Sequence, residues 1–342
     1  MQSARYSVFA IALLAGASFA GCSGSPSVNH AAAAGATSVA GNAGLDGTIE
    51  PSLPASAGSG AQGGSLFVDL PETMAGSTSV GGSTSQPYPD KLPDGFTAAN
   101  MFGGFRVGEA IVAESGSPAE TPSAGTERCG TTILAVIRDF KVDGENFGGK
   151  SIGDDKGLVE PTLGADRKPV FAHSGPSSTV TDPAEFDNWY RTVDGVNKAY
   201  KLELWFGPNA GVSSFQSTDF FPLDGMGWND MDPEFQHNFY FTTEIHTQFR
   251  YEGGETFKFV GDDDVWVFIN SRLAIDLGGV HPAAEATIDI DARATELGLE
   301  KGKVYPFDMF QTERHKFQSN FRADTDLNFV DCGTIVPETI PK

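Results

Sequence analysis

The chain is short of positive charge and has no apolar run long enough to cross a bilayer. Its 342 residues include 23 Lys and Arg against 45 Asp and Glu, a formal net charge of −22. Such an acidic chain repels phosphate backbones and anionic headgroups, so we expect no nucleic-acid partner and no electrostatic membrane contact. Its one N-terminal apolar segment, Val8–Ala17, is shorter than the ~20 residues that a membrane-spanning helix needs.

Sequence motifs of the common enzyme classes are missing as well. The six histidines show no HExxH or other zinc spacing, and no Gly-x-Ser-x-Gly nucleophile motif occurs. Residues 144–151 match the P-loop pattern, but Gly153, Gly157 and Pro161 follow where a P-loop needs a helix. The sequence therefore predicts a protein that is not an enzyme. A secreted hydrolase ranks third, behind two non-enzymatic functions that are given below.

The N-terminal residues have the features of an export signal. Arg5 supplies the positive charge that precedes the apolar segment. Residues 18–22 (SFAGC) resemble a bacterial lipobox, in which the cysteine becomes the lipid-carrying first residue of the mature protein. We expect a signal peptide over residues 1–21 and an outer-membrane lipoprotein at the cell surface, held to the membrane only by a lipid on Cys22. The alternative is ordinary cleavage after Ala20, which gives a secreted protein.

Composition divides the rest of the chain. Residues 22–95 are rich in Ser, Gly and Ala and bury too little apolar surface to offset their ordering entropy, which predicts a disordered tether. Residues 96–128 are an unassigned transition segment. Residues 129–333 are expected to form one folded domain, and residues 334–342 a tail.

Two of the three cysteines, Cys129 and Cys332, bracket the predicted domain. An even pair in an exported protein favours a disulfide bond. Closing a loop of about 200 residues would stabilise the fold by roughly 5 kcal/mol. The alternative is two unpaired buried thiols.

Short apolar runs between Gly- and Asp-rich turns dominate the folded region. Strands are predicted at residues 131–142, 202–206, 238–251, 256–260, 265–269, 273–277, 286–290, 304–310 and 321–330. Residues 182–185 (DPAE) predict a helix start with an N-cap, a first-turn proline and a capping-box glutamate, and 292–297 a second short helix. Many strands with little helix predict an all-β antiparallel barrel or sandwich.

Three consecutive carboxylates, Asp262, Asp263 and Asp264, stand at the entrance of an apolar strand. Adjacent like charges repel, and their solvation is expensive to lose. A fold that concentrates them needs a cation or several N–H donors nearby. The alternative to a cation site is an Asp-rich turn whose carboxylates accept hydrogen bonds from backbone N–H groups.

The strands around this run predict a fourth carboxylate. Pairing residues 256–260, 265–269 and 273–277 as a three-stranded meander, with Val265 opposite Asp276, places Asp276 and Gly278-Gly279 at the acidic end. Four carboxylates with flexible backbone carbonyls suit a hard cation that takes six to eight oxygens, which predicts calcium.

The same meander predicts one apolar face. Its members alternate along the three strands: Phe257, Phe259, Trp266, Phe268, Leu273, Ile275 and Leu277. Trp266 is therefore expected in the core and not as a platform for a sugar ring.

Residues 257–270 (FKFVGDDDVWVFIN), followed by residues 273–281 (LAIDLGGVH), resemble the fibro-slime domain, a relative of the PA14 β-barrel module. Supporting matches lie at residues 186–190, 237–239, 299–305, 313–315 and 318–321. The resemblance covers about residues 129–333 and implies a PA14-like fold for that region.

In sugar-binding PA14-like modules an Asp-Asp pair, often joined by a cis peptide, holds a calcium ion that also takes vicinal sugar hydroxyls. By position, the resemblance assigns Asp262 and Asp263 to this pair, with Gly278-Gly279 and His281 as neighbouring ligand-binding candidates. Asp264 stands where those members often have glycine. An extra carboxylate there would fill a coordination position that a sugar uses.

The resemblance implies a surface-anchored, calcium-dependent adhesion protein whose partner is a glycan or an extracellular-matrix polysaccharide. The alternative is a structural matrix module without lectin activity, in which calcium stabilises the loop.

Overall fold

A computed structural model describes residues 91–111, 131–142, 145–149 and 151–333. These residues form sixteen strands and two short helices, which confirms the expected all-β fold. The strands are β1 (Thr97–Ala98), β2 (Gly104–Ile111), β3 (Thr132–Phe140), β4 (Gly153–Asp154), β5 (Asn197–Trp205), β6 (Gly207–Asn209), β7 (Val212–Ser217), β8 (Phe241–Arg250), β9 (Thr256–Gly261), β10 (Asp264–Ile269), β11 (Arg272–Leu277), β12 (Gly279–Val280), β13 (Ala284–Asp289), β14 (Val304–Glu313), β15 (Phe321–Thr325) and β16 (Asn328–Asp331). The helices are α1 (Pro183–Phe186) and α2 (Ile290–Leu297).

Two antiparallel sheets make up the sandwich. The large sheet runs β1-β2-β5-β3-β8-β14-β10-β11, with β16 also paired to β8. The smaller sheet runs β13-β9-β15-β7-β6, and β12 and β4 form a separate two-stranded ribbon. Strands β1 and β2 lie in the segment that sequence patterns leave unassigned, so the large sheet begins upstream of residue 129.

The main hydrophobic core lies between the two sheets. Its aromatic members come from both layers: Phe206, Phe215, Phe220, Phe241, Phe249, Tyr251, Phe257, Phe259, Phe307 and Phe321. Alternation along each strand sends these side chains inward, as period-2 patterning requires.

A second hydrophobic cluster covers the opposite face of the large sheet. Residues 145–149 and 151–190, here called the outer layer, pack Phe186 and Trp189 against Trp266 with ring centroids 5.9 and 6.5 Å apart. Phe268 and Phe310 belong to the same cluster. The large sheet is therefore buried on both faces at β10, which is buried at all six positions.

Buried ion pairs also fasten the outer layer to the large sheet. Lys168 pairs with Glu244 of β8, and Arg167 Nη2 lies 2.5 Å from Asp308 Oδ1 of β14. Burial acts to raise the pKa of Glu244, but nearby cations, Lys168 and Arg138 first, outweigh it and hold the pKa well below its usual range.

The two predicted helices are present. The Asp182 side chain caps α1 by accepting a hydrogen bond from Ala184 N at 2.9 Å, and Pro183 occupies the first turn. Helix α2 starts two residues earlier than predicted, because Asp289 caps it, and it ends at Gly298 with φ 71°.

The predicted three-stranded meander is wrong. Strand β9 belongs to the smaller sheet, where it pairs with β13 and β15, whereas β10 and β11 pair in the large sheet. The chain changes sheet at the acidic run, so the predicted single apolar face is divided. Phe257, Phe259, Ile275 and Leu277 pack between the sheets, whereas Trp266 and Phe268 pack under the outer layer. Trp266 is buried as predicted.

The β10–β11 register also differs from the prediction by one residue at its acidic end. Phe268 lies opposite Leu273 as predicted, but a bulge between Val267 and Phe268 shifts the remaining pairs. Trp266 is therefore opposite Asp276, and Val265 is opposite Leu277. The bulge turns the Asp276 side chain to the Trp266 face of the sheet.

The predicted export signal, Cys22, the tether and Cys129 lie outside the described residues. Cys332 is disulfide-bonded, and its carbonyl accepts a hydrogen bond from Leu134 N at 2.7 Å, next to the start of β3. Pairing with Cys129 and lipidation of Cys22 stay predictions. In the described part of the chain, no helix is long and apolar enough to cross a membrane.

The outer layer should contribute strongly to stability, because its aromatic side chains are fully buried against the large sheet. Phe186→Ala is expected to lower the free energy of unfolding by about 3–5 kcal/mol, measured by urea denaturation. Val170→Ala, in the same layer but 38% exposed, is the control and should change it by about 0.5 kcal/mol or less. Equal effects of the two substitutions would contradict a packed outer layer.

Candidate functional site

The candidate site lies where the chain leaves β9 in the smaller sheet and enters β10 in the large sheet. Gly261 permits this crossing, because a Cβ there would lie 2.4 Å from the Asn320 carbonyl oxygen. A cis peptide joins Asp262 and Asp263, as the resemblance implies for the paired aspartates. All three aspartates of the run are buried, each less than 5% exposed.

Asp262 is held by the residue that precedes β15. Its Oδ1 accepts a hydrogen bond from Asn320 N and its Oδ2 accepts one from Asn320 Nδ2, both at 2.6 Å. Burial raises the pKa of Asp262, and the Asn320 hydrogen bonds counteract part of that shift.

The Asp263 carboxylate is less well stabilised by hydrogen bonds than that of Asp262. Its Oδ2 accepts a hydrogen bond from Arg314 N at 3.2 Å. Burial raises its pKa well above the usual range, and the neighbouring carboxylates of Asp264 and Asp262 raise it further against the opposing effect of Arg314. A buried carboxylate of this kind requires a proton or a cation.

Asp264 has a different role from its two neighbours. Its Oδ2 accepts from Arg314 Nε at 2.7 Å, and its Oδ1 accepts from Arg314 Nη2 at 3.2 Å and from Gly279 N at 2.6 Å. Both oxygens are thus committed to a buried bidentate ion pair and a backbone donor. The expectation that Asp264 is a metal ligand does not fit this geometry.

Glu313, the last residue of β14, is a buried acid that sequence reasoning missed. It is fully buried, and among the described residues both of its carboxylate oxygens are without a hydrogen bond, as is Gln311 Oε1. Ser319 lies close, but its hydroxyl donates to the Phe220 carbonyl. Burial raises the pKa of Glu313 well above its usual range, and the charge of Asp263 raises it further.

Glu313 and Arg314 belong to a segment that matched the family pattern, although no role was assigned to either. The sequence feature that could have indicated them is an acidic residue next to a basic residue at the end of an apolar strand. Their contacts with the acidic run span about 50 residues, so local periodicity could not reveal them.

A cavity of about 300 Å³ opens above the aspartate pair. Asp262 and Asp263 line it together with Ile152, Val280, His281, Pro282, His315, Lys316, Phe317 and Gln318. Of the predicted ligand-binding residues, the structure therefore brings Asp262, Asp263 and His281 together.

Asp276 and the two glycines lie outside this cavity lining. The Asp276 carboxylate accepts hydrogen bonds from Trp266 Nε1, Gly278 N and Gly157 N at 3.1, 3.1 and 2.7 Å. In this structure the Asp276 side chain lies beside the buried tryptophan and away from the cavity, and its role as a fourth ligand stays a prediction. Gly279 is needed for packing, since a Cβ there would lie 2.3 Å from the Gly153 carbonyl oxygen.

Two histidines flank the cavity. His281 Nδ1 lies 2.9 Å from the Pro282 carbonyl and its Nε2 lies 3.2 Å from the Leu277 carbonyl. The ring is therefore held by backbone carbonyls, and it also lines the cavity. Burial lowers the pKa of His315, so that ring is neutral near pH 7.

The oxygen atoms around the aspartate pair meet some, but not all, of the coordination needs of a hard cation. Carboxylate, amide and carbonyl oxygens surround the pair, and buried acceptors without partners lie at Glu313 and Gln311. Within the described ranges, no group of three or more His, Cys, Asp or Glu side chains is placed to hold a metal ion. A calcium ion here would need neutral oxygens, or oxygens of a bound molecule, beyond the aspartate pair.

Two facing β-sheets with a carboxylate-floored cavity at one end define a β-sandwich binding module. Residues 192–338 match the family model of the PA14 domain. The match confirms the PA14-like part of the predicted resemblance over these residues. The fibro-slime assignment stays a prediction.

Two similar curated proteins are from Dictyostelium discoideum. Protein psiR is 37% identical over 206 residues, 56% of this chain and 20% of its own length. Protein psiD is 41% identical over 188 residues, 51% of this chain and 36% of its own length. The chain thus spans about a fifth to a third of these relatives. Neither name states an enzymatic activity, and a eukaryotic source gives no support to a bacterial lipoprotein.

Solved structures give weaker likenesses. The PA14 domain of the MpAFP antifreeze protein covers 67% of this chain and all of its own, at 12% identity and a TM-score of 0.29. A β-glucosidase from Kluyveromyces marxianus in complex with glucose covers 53% of this chain and 19% of its own, at 18% identity and a TM-score of 0.23. Scores this low support no argument about the site.

In chelator, stability should fall as the pH rises above the ordinary carboxyl range, because the folded-state pKa values of Asp263 and Glu313 are raised well above it. Such carboxyls stabilise the fold while protonated, and that contribution is lost as the pH rises through their folded-state pKa. Glu313→Gln removes one of them and should flatten the decline, measured by urea unfolding.

Glu285→Gln is the matched control, because its carboxylate is 65% exposed and pairs with Lys258 at the surface. This variant should keep the pH dependence of the wild type. An unchanged decline in Glu313→Gln would contradict a raised pKa at Glu313.

Proposed function

We propose that the domain binds a glycan through a calcium ion held by Asp262 and Asp263. The observation that carries the proposal is a pair of buried carboxylates at the floor of an open cavity of about 300 Å³. Burying two adjacent acids is costly unless a cation or protons neutralise them, and a cavity above them gives a ligand access.

Calcium suits this site better than zinc or magnesium. The available donors are oxygens, no zinc-type spacing occurs in the sequence, and calcium tolerates irregular coordination by six to eight oxygens. Asp262 and Asp263 would hold the ion, with the Asn320 side chain beside Asp262. When bound, the ion would supply a Lewis-acidic centre for vicinal hydroxyl groups.

The match to the PA14 domain supports a carbohydrate-binding or surface module in general terms. The geometry of Asp264 adds a specific argument, because its carboxylate is engaged by Arg314 and does not compete for the ion. A single site of this kind gives modest affinity, and many copies on one surface would supply strength through multivalency.

A structural matrix module is the second candidate, and one observation favours it. Asn320 and Arg314 already tie the acidic run to the rest of the sandwich through side-chain and backbone hydrogen bonds. In that case an ion would stiffen the loop without presenting a ligand position.

Calcium at about 100 times its dissociation constant should raise the melting temperature of the full chain by roughly 5–10 °C. Asp263→Asn should abolish this shift and all binding to immobilised glycans, because one of the two ligating carboxylates is lost. Glu285→Gln, which changes an exposed acid by the same substitution, should behave as the wild type.

The outcomes separate the two candidates. A calcium-dependent melting shift with no glycan bound would favour the structural module. No shift in the wild type, or the same shift in Asp263→Asn, would contradict the metal site itself.

We further propose that the chain is exported and anchored through a lipid on Cys22, with the tether between anchor and domain. The support is the lipobox-like sequence of residues 18–22. In a bacterial host, labelled palmitate should appear on the wild type and be absent from Cys22→Ser. Label on neither protein, or on both, would contradict the anchor and leave secretion as the alternative.

A further inference from the structure

Phe317 is an exposed aromatic ring on the rim of the cavity. Its side chain lines the cavity together with Asp262 and Asp263, yet the residue is 61% exposed. A single exposed apolar residue is ordinary on a protein surface. An exposed ring that borders a carboxylate-floored cavity is in position to contact whatever enters that cavity.

The backbone at Phe317 is strained. Its φ of 136° lies in a region that glycine adopts readily and that bulky residues rarely adopt. Stability alone would favour glycine at this position, and strained residues of this kind cluster at ligand-binding sites.

Neighbouring side chains support the ring on one side. Phe235 meets it edge-on with centroids 5.4 Å apart, and the His315 ring is tilted against it at 5.4 Å. The ammonium of Lys316 lies 6.0 Å from the ring centroid. These contacts fix the position of the ring while most of its surface stays open to solvent.

The charges around the rim indicate a neutral ligand. Lys316 is the one lysine or arginine that lines the cavity in the described chain, and its Nζ lies 3.2 Å from Glu234 and 3.6 Å from Asp232. Its positive charge is therefore already compensated. His315 is neutral near pH 7 because burial lowers its pKa. The chain as a whole carries −22 and repels anions.

We propose that Phe317 is the stacking platform for the apolar C–H face of a neutral pyranose whose hydroxyl groups reach toward Asp262 and Asp263. A pyranose has one edge of hydroxyl groups and a flat face of C–H bonds, so it matches a carboxylate floor beside an aromatic wall. The ligand class is thus a neutral hexose-containing glycan, and uronic acids, sialic acids and sulfated sugars are disfavoured. The inference rests on the proposed function, because it assigns a second contact to the same ligand.

The test compares full-length variants on an array of neutral and anionic oligosaccharides in calcium, followed by affinity measurement on the neutral sugar that binds best. Phe317→Ala and Phe317→Gly should each weaken binding by about tenfold or more, and Phe317→Trp should retain it. Met101→Ala, at an apolar residue 56% exposed in the turn between β1 and β2, should bind as the wild type.

Stability provides the readout that a purely structural role would not produce. Phe317→Gly relieves the positive φ, so its melting temperature should equal or exceed that of the wild type while its glycan affinity falls. The calcium-induced melting shift should remain in all Phe317 variants, because the aspartate pair is intact.

Three results would overturn the inference, and they are distinguishable. Glycan binding that needs Asp263 but changes by less than about twofold in Phe317→Ala would remove the platform and leave the proposed function standing. A preference for anionic sugars would contradict the neutral ligand class. No calcium-dependent binding to any glycan would remove the proposed function and the platform with it.

Discussion

The buried ion pair between Arg314 and Asp264 holds the candidate site in place. It joins the end of β14 to the start of β10, and the same guanidinium donates to the Thr179 carbonyl of the outer layer at 2.7 Å. Removing one partner of such a pair leaves an uncompensated buried charge, which costs about 3–5 kcal/mol. The pair therefore fixes β10, β14 and the outer layer around the acidic run, and it neutralises one of the three aspartates.

That neutralisation divides the acidic run into two functions. Asp264 is structural, because it forms a buried ion pair with Arg314 and does not line the cavity. Asp262 and Asp263 remain at the cavity floor with burial raising the pKa of each. Glu313 lies nearby as a further buried acid. A divalent cation bound here would offset the free-energy cost of burying these carboxyls.

The all-β fold, the N-cap of α1 and the aspartate pair could be read from the sequence, because alternation, N-cap residues and a charged run are local signals. The sheet change at Gly261 could not, since a three-stranded meander and a sheet crossing produce the same alternation. A one-residue bulge in β11 was enough to move Asp276 from the predicted site to the Trp266 face. Arg314 was missed because its partner lies 50 residues away in the chain.

The central claim is that Asp262 and Asp263 bind a calcium ion, and crystallography tests it most directly. Crystals grown in calcium should show an anomalous-difference peak about 2.3–2.6 Å from carboxylate oxygens of both residues. The peak should lie on the cavity side, away from the pair formed by Arg314 and Asp264. An ordered aspartate pair without a peak, or a peak coordinated by Asp264 and Asp276 instead, would contradict the account.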